Sequence, residues 1–202
     1  FGDVAGLRVA DLCAAPGGKT AQLALAGAKV TALEISPNRA RRLAANLQRL
    51  KLEAEIVQGD LFDHAPAAPF DAVLLDAPCS STGTVRRHPD VPWTKGPGDV
   101  AKLAALQARM LARAAELVAP GGTIVFSNCS LERLEGEALV EAFLAENPQI
   151  VAAPVRPGEF SFLDPFLDAD GTIRTTPAGL KLETPALSGL DGFFAARLKR
   201  AG

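Results

Sequence analysis

Val9-Ala10-Asp11-Leu12-Cys13-Ala14-Ala15-Pro16-Gly17-Gly18-Lys19-Thr20 is the stretch whose reading decides the fold. A short apolar run ends in an acid, a Pro-Gly-Gly bend follows, and Lys19-Thr20-Ala21-Gln22-Leu23-Ala24-Leu25 opens with good helix formers. Strand, tight glycine turn and helix N-terminus together offer exposed backbone N–H groups to a ligand.

Outward from this turn the same punctuation repeats. Residues 8–13 read as a buried strand and 20–26 as a helix closed by Gly27. Residues 29–34 form a second strand ending in Glu34, after which Ser36 and Pro37 supply an N-cap and a first-turn proline. Leu43, Leu47 and Leu50 continue at helical spacing, which predicts a helix over 37–50. A weak strand at 54–57 leads to Asp60, and the near-continuous apolar run 70–76 ends in Asp76, as a central parallel strand would. A long loop over 77–97 is rich in Pro, Gly, Ser and Thr, the kind of segment that is functional or disordered. Helix over 100–117 is stopped by Pro120-Gly121-Gly122, residues 123–127 make a fifth strand, and 132–146 are helical again. Beyond Pro154 the pattern breaks down until a last strand at 191–198.

Alternating strands and helices predict a doubly wound, mostly parallel α/β sheet. Ligands of such sheets bind beyond the carboxyl ends of the strands. Asp11, Glu34, Asp60, Asp76 and Cys129 all stand at those ends and are expected to line one crevice.

The bulk numbers limit the function classes. With 202 residues, 48% hydrophobic and 22% charged, the chain reads as one soluble domain over 1–202, and a cytoplasmic location is the default. No apolar run reaches the ~18 residues of a membrane span. Three cysteines far apart in sequence give neither a disulfide framework nor a zinc spacing. A net charge of −2 speaks against a bulk electrostatic grip on nucleic acid, although basic residues gather at Arg39, Arg41, Arg42, Arg49 and Lys51, and at Arg86-Arg87-His88. The only methionine is Met110, so an excised or truncated domain is expected.

Three ligand classes compete for the first turn. The dinucleotide pattern G-x-G-x-x-G is missing. Gly18-Lys19-Thr20 fits the end of a P-loop, but Cys13 occupies the place of its first glycine. The third class is the S-adenosylmethionine fold: Glu34 is placed to accept both ribose hydroxyl protons, and Asp60 to accept from the adenine amino group.

The segment Asp76-Ala77-Pro78-Cys79-Ser80-Ser81-Thr82-Gly83 sharpens this reading. With the first turn, Arg86-Arg87-His88-Pro89-Asp90, Asn128-Cys129-Ser130 and Asp191-Gly192-Phe193-Phe194, it resembles the RNA (cytosine-5-)-methyltransferases of the Nop2/Sun group, above all their bacterial Sun (RsmB) ribosomal branch. The resemblance implies a Rossmann-like S-adenosylmethionine-dependent fold with an antiparallel strand near the C-terminus. It implies methyl transfer to carbon 5 of a flipped cytidine in 16S ribosomal RNA, with no membrane and no obligate protein partner. In such chemistry a thiolate adds to carbon 6 and makes carbon 5 nucleophilic. By resemblance Cys129 is that nucleophile, Cys79 assists release of the adduct, and Asp76 holds or protonates ring nitrogen 3. From the residues alone the two cysteines cannot be ranked, while Cys13 reads as a small buried hydrophobe.

The backbone of Cys13, Ala14, Ala15, Pro16, Gly17, Gly18 and Lys19 is expected to contact the methionine part of the cofactor, with Arg39 nearby. Arg86, Arg87 and His88 are the candidates for RNA backbone contact. Two departures from the family pattern stand out: Asn128 where threonine is usual and Ser81 where glycine is common. The N-terminal RNA-binding region that accompanies such domains is expected to be absent. A catalytically silent RNA- or nucleotide-binding module and a P-loop-like nucleotide hydrolase remain as alternatives.

Overall fold

Short apolar strands that end in acids, each followed by a glycine or a capped helix, build the architecture. The computed structural model describes residues 1–184 and 188–202. In chain order the elements are β1 (Arg8–Leu12), α1 (Gly18–Leu25), β2 (Lys29–Glu34), α2 (Pro37–Leu50), β3 (Glu55–Gln58), β4 (Phe70–Asp76), α3 (Val91–Thr94), α4 (Pro97–Leu117), β5 (Val118–Asn128), α5 (Glu137–Glu146), β6 (Ile150–Ala152), β7 (Ile173–Thr175) and β8 (Phe193–Arg200). Short 3-10 turns lie at Thr82–Thr84, Arg133–Glu135 and Asp164–Phe166.

Two compact units share these elements. The first comprises Phe1–Ala77, Met110–Val125 and Lys199–Gly202, and the second Pro78–Arg109 and Phe126–Leu198. Strands β5 and β8 each pass from one unit into the other along the chain.

In the first unit the strand order is β3-β2-β1-β4-β5. Pairings β1/β2, β2/β3 and β1/β4 are all parallel. The chain steps outward from β1 to β3 and then returns to β4 on the other side of β1, so the order reverses at β1. That reversal is where an open parallel sheet leaves room for a ligand. Leu12 lies opposite both Leu33 and Leu75, which brings the carboxyl ends of β1, β2 and β4 level. Two apolar clusters pack the strands against their helices: Val9, Val30 and Leu74 cluster with Leu23 of α1, and Ala32, two residues beyond Val30 and so on the same face, clusters with Leu43 and Leu47 of α2. Helix α2 keeps its predicted bounds because Ser36 caps it, accepting from the Arg39 N–H at 3.4 Å, and Pro37 opens it.

In the second unit the end of β5 and β6 flank β8, and β7 runs antiparallel to β8. Phe126 and Phe194 meet edge-on in its core, 6.3 Å between centroids. The structure corrects the sequence reading in three places here. The helix expected over 132–146 is a 3-10 turn and then α5, broken at Gly136. A Cβ at Gly136 would come within 2.5 Å of Arg174 Nη2 and 3.1 Å of the Phe194 ring, so a larger residue there would have to displace the arginine head and crowd the ring. Strand β8 lies two residues later than expected, and β6 and β7, three residues each, lacked enough alternation to be read. In the first unit β5 begins at Val118 and runs through Pro120-Gly121-Gly122, which was expected to lie before it, and at Gly122 a Cβ would fall 2.7 Å from the Asp71 carbonyl oxygen.

Candidate functional site

The turn after β1 is a main-chain cradle. Cys13 takes a left-handed conformation (φ 68°), the Ala15–Pro16 peptide is cis, and Gly17 has φ 101°. At Gly17 a Cβ would meet Leu43 Cδ1 at 2.5 Å, so the bend excludes a side chain by conformation and by space. Helix α1 starts without a side-chain cap. Its first N–H groups are therefore of the kind that anions and ligand carboxylates satisfy. Arg39 Nη2 donates to the Ala15 carbonyl at 3.0 Å, and Asn46 Nδ2 to that of Pro16 at 2.8 Å, fixing the bend from α2.

The strand-end acids divide in role. Glu34, 2% exposed, accepts the Ser36 N–H on Oε1 at 3.0 Å, while its Oε2 is buried without a hydrogen bond, 3.4 Å from Arg39 Nη2. A buried acceptor left in this state is costly unless a ligand donor completes it, and a carboxylate oxygen has lone pairs for a hydroxyl pair. The residues thus fit the ribose of an adenosyl cofactor. Asp76 forms an ion pair with Lys19, Nζ to Oδ2 2.7 Å. Asp60 is half-buried and accepts the Phe62 N–H on Oδ1 at 3.0 Å. Asp11 departs from its expected place among ligand-facing acids. It is 1% exposed and accepts from Thr20 Oγ1 at 2.5 Å, tying β1 to α1, and burial raises its pKa to about 6. Cys13 contributes backbone and no thiolate, since burial, reinforced by Glu34, pushes its thiol up to about 12.

The second unit brings together what the sequence places fifty residues apart. Cys79 Sγ and Cys129 Sγ are 3.4 Å from each other. Ser81 Oγ lies 3.6 Å from Cys129 Sγ and 3.9 Å from Cys79 Sγ. Ser81 takes the left-handed conformation (φ 61°), which explains why glycine suits that position. Hydrogen bonding to Cys129, and after it burial, drives the Cys79 thiol far above its ordinary value, so Cys79 keeps its proton. The Cys129 carbonyl accepts the Gly83 N–H at 2.9 Å, and the Gly83 carbonyl accepts the Gly192 N–H at 2.7 Å. A Cβ on Gly83 would lie 2.1 Å from the Gly192 oxygen. The Thr82-Gly83 and Asp191-Gly192 motifs are therefore one close backbone crossing behind Cys129.

Arg87 in the basic loop is bound in a fork by Asp191, Nε to Oδ2 2.7 Å with Nη2 on the same oxygen. That guanidinium holds the Asp191 carboxyl below the usual carboxylate range. Arg86 and His88 are exposed. Asn128 is buried, donating from Nδ2 to the Glu135 carbonyl and accepting the Ser130 N–H on Oδ1 at 3.0 Å. An amide can do both tasks at once, so the departure from threonine is accommodated locally. Sequence reasoning passed over Glu135 and Gln107, both wholly buried. A charged residue two before a helix carries no signal of burial; only the folding back of the cysteine loops reveals it. Among the described residues no helix is long and apolar enough to cross a membrane, and no cluster of three or more His, Cys, Asp or Glu could hold a metal ion.

The family model for 16S rRNA methyltransferase RsmB/F matches residues 4–199. The chain is 42% identical over 198 residues to ribosomal RNA small subunit methyltransferase B of Klebsiella pneumoniae (strain 342), covering 96% of this chain and 42% of that protein. It is 39% identical over 197 residues to the protein of the same name from Sodalis glossinidius (strain morsitans), covering 94% and 41%. The chain thus spans about two-fifths of the length of these curated relatives. NSun6 from Pyrococcus horikoshii, solved with SFG, superposes with a TM-score of 0.77 at 25% identity, over 97% of this chain and 48% of that one. A methyltransferase homolog protein from Pyrococcus horikoshii gives 0.72 at 30% identity, over 97% and 62%. The fold is the Rossmann-like one of the S-adenosylmethionine-dependent methyltransferases, with a mostly parallel sheet and an antiparallel C-terminal strand.

Proposed function

Because the chain belongs to the 16S rRNA methyltransferase RsmB/F family, whose cofactor is S-adenosylmethionine, we propose that it methylates carbon 5 of a cytidine in small-subunit ribosomal RNA through a covalent adduct with Cys129. The observation that carries this reading is the pair of sulfurs 3.4 Å apart. Two thiols within reach of one ring are what addition at carbon 6 followed by elimination requires.

The Cys129 thiolate, receiving a hydrogen bond from the Cys79 thiol, adds to carbon 6 of the cytosine and pushes an electron pair to carbon 5. A proton held at ring nitrogen 3 by Asp76 favours that addition, and Lys19, already paired with Asp76, keeps the carboxylate oriented. The cofactor, when bound, supplies an electrophilic methyl group on its sulfonium. Once the Cys129 sulfur is bonded to carbon it no longer accepts from Cys79, and the largest cause of the raised Cys79 pKa disappears. Cys79 can then release its proton to solvent and take the one on carbon 5. The carbon 6–sulfur bond breaks, its electron pair returns to Cys129, and the ring regains aromaticity.

In the first unit, Glu34 Oε2 would accept from the ribose, Asp60 from the adenine, and the backbone of residues 13–19 would hold the methionine part, with Arg39 bracing the bend. On the RNA side, Arg86 and His88 would contact phosphates and Arg87 would brace the loop from Asp191. The target base must leave its stack to react.

The test is bisulfite sequencing of 16S ribosomal RNA after reaction with the protein and its Cys129→Ala and Cys79→Ala variants. We expect one protected cytidine, none with Cys129→Ala, and a slow-migrating protein–RNA adduct with Cys79→Ala. Undiminished methylation by Cys129→Ala, or a methyl group at another atom, would overturn the reading.

A further inference from the structure

Each of the two cysteines is followed by a serine, Cys79-Ser80 and Cys129-Ser130, and both serines bind the same buried carboxyl group. Glu135 Oε2 accepts from Ser80 Oγ at 2.5 Å and from Ser130 Oγ at 2.6 Å. Its Oε1 accepts the Ser80 N–H at 2.9 Å and Gln107 Nε2 at 2.9 Å. The residues before the cysteines are tied to the same place. Gln107 Nε2 also donates to the Pro78 carbonyl at 2.9 Å, and Asn128 Nδ2 donates to the carbonyl of Glu135 itself at 2.5 Å. Ser130 is held at its remaining polar atoms too, its N–H by Asn128 Oδ1 and its carbonyl by Arg174 Nη1 at 2.5 Å. Arg174 is in turn forked onto Glu137.

We propose that Glu135 is a positioning residue, a single buried carboxyl group that anchors the neighbours of both cysteines and so fixes the separation of their sulfurs. Neither thiol touches Glu135; each is placed through a serine. The loops also meet directly, Ser80 Oγ with Ser130 Oγ at 3.1 Å, the Leu131 N–H on Thr82 Oγ1 at 2.9 Å and the Gly83 N–H on the Cys129 carbonyl at 2.9 Å, and Glu135 adds a common acceptor for the serine beside each sulfur. A shared acceptor of four donors, shielded from water, limits the freedom of both loops, since releasing either loop strands a buried polar group. The consequence for chemistry rests on the function proposed above, because adduct formation and release are tuned by the short distance between the sulfurs.

A dithiol probe reads that distance without RNA or cofactor. Phenylarsonous acid, a trivalent arsenical, forms two As–S bonds with a close thiol pair, its two hydroxyl groups leaving as water with the thiol protons. Wild-type protein should take up one equivalent tightly, and Cys79→Ala or Cys129→Ala should lose that site. Glu135→Gln should bind within about threefold of wild type, because an amide nitrogen at the Oε2 position can donate to hydroxyls that are able to accept. Glu135→Ala, and the double variant Ser80→Ala/Ser130→Ala, should each bind about 10- to 100-fold more weakly, as expected when reacting groups lose their held geometry. Adding Ser80→Ala and Ser130→Ala to Glu135→Ala should cost little more, since both serines act through the one carboxyl group already removed. The serine double variant retains the carboxyl group and carries the test should Glu135→Ala not fold.

Arsenical affinity within threefold of wild type in the serine double variant and in folded Glu135→Ala would overturn the proposal. Weakened arsenical binding together with methyl transfer that persists in Cys129→Ala would leave the positioning role standing and overturn the adduct chemistry instead.

Discussion

The turn at residues 13–19 and the cysteine pair at 79 and 129 do comparable work by opposite means. The first is held by main-chain conformation: a left-handed Cys13, a left-handed Gly17 with no room for a Cβ, and an uncapped helix start. The second is held by side chains, with four donors converging on Glu135 from Ser80, Ser130 and Gln107. A cradle for a flexible ligand needs N–H groups at fixed spacing, which local backbone geometry supplies. The two cysteine loops, far apart in sequence, are held in register by the carboxyl group that their serines share and by the Gly83–Cys129 backbone hydrogen bond, contacts that local geometry cannot supply.

That contrast can be broken first at Gly17. Gly17→Ala introduces both a strained φ and a clash with Leu43, and should destabilise the protein by about 2–4 kcal/mol, read from denaturant unfolding, with loss of cofactor binding by calorimetry. If the two regions are independently held, arsenical binding by the remaining folded protein stays at the wild-type level. Next comes Glu34→Gln, which keeps the Ser36 contact and removes the charge facing Arg39. Cofactor affinity should fall by about 10- to 100-fold in titration calorimetry, the value of one or two charge-assisted hydrogen bonds.

A smaller effect sharpens the role of Asp11. Folded protein keeps a proton on this carboxyl up to about pH 6, whereas the unfolded chain loses it near 3.8. The stability so contributed is complete below the lower value and is lost as pH rises through the upper one, amounting to about 1 kcal/mol between pH 5 and 7. Comparison of the melting of wild type and Asp11→Asn at those two pH values should show that increment only in wild type. The smallest expected effect is at Ser81. Ser81→Gly relieves the left-handed φ and should change stability by no more than about 0.5 kcal/mol, because glycine also loosens the unfolded chain. Removing the hydroxyl beside both sulfurs should nonetheless slow adduct formation, measured by single-turnover gel shift; an unchanged rate would show that Ser81 supports backbone shape alone.

How far each region was legible follows from the range of the forces involved. The bounds of β2, α2 and β4 could be read because each is fixed by its own residues, an acid or proline at one end and an apolar period between. Glu34 was legible as an acid at a strand end, and the structure buries it there with Oε2 left without a hydrogen bond. Asp11 was not legible as an inward-facing acid: it lies opposite Ala32, one residue short of the end of β1, and is tied there by Thr20 on the following helix. Arg87 looked like a free cation in a basic run, yet Asp191, more than a hundred residues later, closes on it.

By itself the sequence determined the order of elements, the glycine cradle, the acids at the strand ends and the two cysteine motifs, because these depend on local backbone sterics and on hydrophobic periodicity. Tertiary structure alone decided that the two sulfurs lie side by side, that Asp11 points inward, and that Glu135 and Gln107 are buried where both cysteine loops converge. Those facts depend on hydrogen bonds between residues remote in the chain, and such bonds become worth forming only after the loops have been brought together and water has been excluded.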